Sequence, residues 1–95
     1  MTRENIMDQL WILYEHWCMA ELISLHEFVL RLKSEEFGPF SRDDVIALLR
    51  EIEANILENI ELKAMEDPEL DVLKEERMAE TSQEIERLIA EWDRS

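Results

Sequence analysis

The single glycine and both prolines of the chain fall in two short segments, Phe37-Gly38-Pro39-Phe40-Ser41 and Asp67-Pro68-Glu69. Between and around these segments, helix formers dominate and no strand-like alternation appears. Glycine suits a helix C-terminus, and proline cannot continue a helix. Ser41, with Asp44 three residues on, then offers an N-cap and an acid at N3, a variant of the capping box. Asp67 as N-cap, Pro68 at N1 and Glu69 in the first turn make another helix start. Thr2 is placed to cap a first helix. The expectation is a single all-α domain, 1–95, of three helices spanning about 3–36, 42–66 and 68–93. The long first helix is central, and dimerisation completes an antiparallel bundle. The second break also reads as a kink in one long helix, because proline near a helix start is tolerated.

Composition excludes several classes. With 24 Asp and Glu against 10 Lys and Arg, the formal charge is −14, which repels nucleic-acid phosphates and anionic lipid alike. One cysteine among 95 residues forms no internal disulfide and no Cys-rich zinc module. A hydrophobic share of 46% is too high for a disordered acidic tail. The N-terminus has no basic region of the signal type. In the apolar stretch from Trp11 to Leu30, Glu15, His16, Glu21, His26 and Glu27 are too many ionisable groups for a spanning helix. These features lead to the expectation of a cytoplasmic protein that contacts neither membrane nor nucleic acid directly.

The charge is uneven. Residues 1–34 sum to −2, while 35–66 and 67–95 sum to −6 each. On the nearly neutral first segment, a helical wheel gives two adjacent apolar stripes. One runs Ile6, Leu10, Leu13, Trp17, Ala20, Ser24, Phe28. The other runs Met7, Trp11, Tyr14, Cys18, Leu22, Leu25, Val29, Leu32. Together they cover about half the cylinder, enough to receive two further helices. The second helix offers Val45, Leu48, Leu49, Ile52, Ile56 and Ile60. The third offers Leu70, Leu73, Met78, Ile85, Leu88, Ile89 and Trp92, with a polar gap from Lys74 to Arg77.

Opposite those stripes lies a third: Ile12, His16, Met19, Ile23, His26 and Leu30, spaced 4, 3, 4, 3, 4 as in a heptad seam. It reads the same from both ends about position 21. An antiparallel copy on a two-fold axis near Glu21 would face Ile12 with Leu30, His16 with His26 and Met19 with Ile23, as an isologous contact requires. The expectation is a homodimer through this seam. The alternative is that its apolar members fill a core within one chain.

In that dimer Glu15, His16, His26 and Glu27 would gather, and two imidazoles with two carboxylates suit zinc or iron. However, no Glu-x-x-His pair of the di-iron bundle kind is present, and adjacent residues diverge by about 100° on a helix. No metal or other cofactor is therefore expected. The histidines read as hydrogen-bonding groups in a partly wet interface, and Glu15, His16, His26 and Glu27 are kept as the alternative site. Cys18, inside an apolar stripe, reads as a small buried hydrophobe. No nucleophile–base set and no phosphate-cradling glycine loop are evident. The outer carboxylates Glu51, Glu58, Glu61, Glu75, Glu76 and Glu80 read either as a solubilising coat or as a surface that meets a basic protein. The function expected is a non-enzymatic interaction or assembly module. A metal-binding bundle and a nucleic-acid mimic or antitoxin-like inhibitor of a basic protein are the alternatives.

Overall fold

The computed structural model describes residues 3–94. It is all-helical, with four helices: α1 (Arg3–Tyr14), α2 (Leu25–Lys33), α3 (Arg42–Glu66) and α4 (Pro68–Arg94). A π-helical turn, Glu15–Met19, continues α1. Thr2, the expected first cap, lies outside the described residues.

The expected first helix, 3–36, is two helices. α1 and its π turn end at Ala20, and Glu21 takes the left-handed conformation at φ +60°. The Leu22 N–H donates to the Trp17 carbonyl at 2.9 Å and the Glu21 N–H to that of Cys18 at 3.1 Å. That pair is a Schellman motif, which caps the end of the helix. Ser24 opens α2, its Oγ accepting from the Glu27 N–H at 3.1 Å. α2 closes in the same way at Ser34. Glu35 has φ +63°, and the Glu36 N–H donates to the Arg31 carbonyl at 3.1 Å. Gly38 sits beyond this cap, in the loop, at φ +115°, a value that only glycine holds without strain.

The two later helices match their expected spans. Ser41 Oγ accepts from the Asp44 N–H at 3.2 Å to start α3. Asp67, alone between α3 and α4, is extended, as a residue before proline prefers, and its Oδ1 accepts from the Glu69 N–H at 3.0 Å. The chain therefore reverses at Asp67 rather than kinking. Arg42 reaches Asp93, and Arg50 reaches Glu86 at 2.6 Å, so α3 and α4 run antiparallel.

α1 and α2 form a shorter hairpin on one face of this longer one. Ile6 lies beside Ser41–Ala47 and Met19 beside Asn55–Asn59, so α1 follows α3 toward the Asp67 turn. α2 returns along α4, from Leu25 beside Thr81 and Ile85 to Lys33, whose Nζ donates to the Trp92 carbonyl. The core lies where the hairpins overlap. Leu10, Phe28, Leu32, Val45, Leu48, Leu49, Ile52, Ile85 and Leu88 are each at most 1% exposed. Phe28 touches the rings of Tyr14 and Phe37, and Phe37 stacks on Trp17. Beyond Ile56, Ala64 is the one buried apolar residue of the α3–α4 arm among the described residues.

Candidate interaction surface

The arm is longer than the hairpin that covers it. The apex of the short hairpin, Met19–Leu25, stops beside Ile56, and the same face of α3 and α4 runs on uncovered toward Asp67. Three grooves meet at this step. One, of about 320 Å³, lies between α1 and α3 and includes Trp11, Tyr14, Met19 and Ile52. A second, of about 330 Å³, lies between Leu25 and α4 at Thr81 and Ile85. The third, of about 230 Å³, continues between α3 and α4 to Ile60 and Leu70. Ile56 lines all three. Their sizes are at or below the lower end of enclosed small-molecule pockets, which begin at roughly 300 Å³. As adjoining open grooves they suit the side chains of a docked helix.

Apolar side chains surround the step without covering it. Met19 and Leu22 on the apex are 64% and 58% exposed, and Leu73, beyond the polar positions of α4, is 41% exposed. Met65 and Val72, flanking the Asp67 turn, are each 83% exposed. A series of large exposed hydrophobics on one arm is uncommon in a domain of this size and generally marks a contact surface.

The arm is acidic along its whole length and holds few cations. From position 57 to 80 the arm holds nine carboxylates and three cations. Two of those cations, Lys63 and Arg77, line the distal groove, and the third, Lys74, is partly buried. None of the three makes an ion pair among the described residues. Nearer the base the grooves are acidic, with Glu15 and Glu58 on the α1–α3 side and Glu80 and Glu84 on the α4 side. Glu84 is held by Arg87 at 3.0 Å. Glu15, Glu58 and Glu80 have no ion pair among the described residues.

The residues expected to form a seam on one helix are divided by the break. Ile12 and, on the π turn, His16 and Met19 precede it; Ile23 is in the turn; His26 and Leu30 are on α2. Glu21, the centre of the sequence palindrome, is the left-handed residue that ends the first segment, so no straight helix carries the six side chains. Ile12, Met19 and Leu30 are exposed, whereas Ile23 packs on the core. His16 lies edge-on to the Trp17 ring. His26 Nε2 is 2.6 Å from Glu91 Oε2 and so ties α2 to α4. Glu27 bonds Arg31 at 3.2 Å. Glu15, His16, His26 and Glu27 do not converge, and no group of three or more possible metal ligands occurs among the described residues. The six outer carboxylates, Glu51, Glu58, Glu61, Glu75, Glu76 and Glu80, are all exposed. Only Glu58 and Glu80 of the six line the grooves at the step.

Cys18 is partly buried, and its thiol donates to the Ser24 carbonyl at 3.8 Å. Burial pushes the thiol up to about 11, which keeps it protonated and unreactive near neutrality. Burial, with Cys18 adding to it, also raises Tyr14 above its ordinary value. No helix among the described residues is long and apolar enough to cross a membrane.

Sequence reading did not anticipate the step at Ile56, because its position depends on where the first helix breaks. A signal for that break was present. Ser24-Leu25-His26-Glu27 has the Ser-x-x-Glu form of a capping box, with Ile23 and Phe28 at the positions of a hydrophobic staple.

Comparison of the chain with protein-family models, with curated proteins and with solved structures finds no match in any of the three.

Proposed function

We propose that this chain is a non-enzymatic helical module that works by docking a protein partner on the uncovered face of its α3–α4 arm. The observation that carries this reading is the step at Ile56, where three grooves join beside exposed Met19, Leu22 and Leu73. A two-helix arm with a groove between its helices is a ready receptor for one or two further helices, which would extend the basal core. The carboxylates on the outer sides of the arm keep such a surface soluble and oppose indiscriminate aggregation.

The test is site-directed photo-crosslinking in cells that produce the chain. A photoreactive amino acid at Leu73, on the uncovered face, is compared with the same group at Glu51, outside the grooves. A discrete protein adduct from position 73 and none from position 51 is the expected result. Equal labelling at both positions, or none at either, would contradict the reading.

A further inference from the structure

We infer that the groove between α1 and α3 binds an aliphatic amine, taken in its ammonium form. The site lies within one copy of the chain and needs no partner on the arm. Its lining follows from helix spacing. Trp11 and Tyr14 on α1 and Glu15 at the start of the π turn stand at i, i+3 and i+4, so two rings and a carboxylate share one side. On α3, Ile52 and Ile56 give an apolar strip, and Asn55, Glu58 and Asn59 give it a polar margin. All of these side chains line the one groove of about 320 Å³. The Trp11 and Tyr14 rings meet edge to face at 5.5 Å. Each is only partly buried, which leaves ring surface open to the groove.

The lining selects the ligand. Glu15 and Glu58 make no ion pair among the described residues. No Lys, Arg or His lines the groove with them. A cation is therefore the charge that fits, and the −14 charge of the chain draws cations toward it. A metal ion is a poor match, because it needs several oxygen ligands in exchange for its water shell. No group of three or more candidate metal ligands occurs among the described residues. An alkylammonium ion asks for less. Its head donates to a carboxylate or to the amide oxygen of Asn55 or Asn59, and it is attracted to the ring faces. Its stem packs on Ile52 and Ile56, which removes apolar surface from water. Neighbouring grooves lack this combination. The one at Leu13, Phe37 and Phe40 has rings but no carboxylate. The α2–α4 groove has carboxylates but no ring, and the distal groove has Lys63 and Arg77, which repel a cation.

Titration with n-butylammonium chloride at constant ionic strength, followed by proton–nitrogen correlation NMR, provides the test. The Trp11 indole and the Asn55 and Asn59 side-chain amides should shift saturably, while the Trp92 indole stays unchanged. Ammonium chloride, which lacks the stem, and n-butanol, which lacks the charge, should each bind about tenfold more weakly or worse. Glu15→Gln with Glu58→Gln should weaken butylammonium binding by about tenfold. Glu51→Gln with Glu80→Gln removes the same charge elsewhere and should leave binding unchanged. All four carboxylates are exposed, so both double variants should keep wild-type helicity, checked by circular dichroism. Absence of a shift at the Trp11 indole, or shifts that do not saturate, would overturn the inference. So would equal weakening in the two double variants, or ammonium or n-butanol that binds as well as butylammonium.

Discussion

Replacing Glu21 with glycine should stabilise this protein, and the sign of the effect tests the break in the first helical segment. Glu21 holds φ +60°, where an L-residue with a Cβ is disfavoured by roughly 1–2 kcal/mol. Glycine removes that clash but gives the unfolded chain more freedom, which offsets up to about 1 kcal/mol. The net gain is about 0.5–1 kcal/mol, equivalent to a melting temperature higher by roughly 2–8 °C in a domain of this length. Ala20→Gly is the control, because Ala20 has φ −80° and a negative-φ site gives glycine no relief. Glu35, at φ +63° in the second Schellman motif, should respond as Glu21 does, and the two gains should add within a few tenths of a kcal/mol. The assay is thermal unfolding followed at the helical circular dichroism band. Were residues 3–36 one continuous helix, Glu21→Gly would instead cost about 1 kcal/mol. A lowered melting temperature in Glu21→Gly would therefore refute both the capping geometry and the apex it creates.

Other regions of the molecule give further expectations. Cys18, pushed from 9.0 to about 11, should carry about a hundredfold less thiolate at pH 8 than an ordinary cysteine. Its alkylation by iodoacetamide should accelerate correspondingly when the chain is unfolded in urea. The Arg42 guanidinium holds the Asp93 carboxyl below its ordinary value. The pair's contribution is thus present above the normal carboxylate range and lost as pH falls through the folded-state value. The melting temperatures of wild type and Asp93→Asn should differ slightly at neutral pH and converge in acid. Phe28→Ala removes a fully buried ring that touches Tyr14 and Phe37. It should cost about 3–5 kcal/mol and move the urea midpoint sharply down.

The sequence was most legible where capping chemistry is explicit. Ser41 and the Asp67-Pro68 pair locate the starts of α3 and α4, and the apolar spacing of Val45, Leu48, Leu49 and Ile52 identifies the face of α3 that is buried. The first segment misleads for a physical reason. Both of its Schellman turns place glutamate where glycine would announce the end of a helix, and the one glycine stands in the loop beyond. A helical wheel drawn through position 21 then creates a palindrome from side chains that the fold assigns to different elements. Ile56, Ile60, Leu70 and Leu73 were recognised as apolar positions of α3 and α4. That this part of the face is left uncovered follows only from the Met19–Leu25 apex, which depends on backbone geometry more than on pattern.

Hydrogen exchange measured by mass spectrometry tests most directly where the short hairpin stops on the α3–α4 arm. The account predicts strong protection in residues 45–52 and 85–88, which the hairpin covers, and weaker protection in residues 57–66 and 70–80 of the uncovered arm. Protection in the arm equal to that at the base would contradict it.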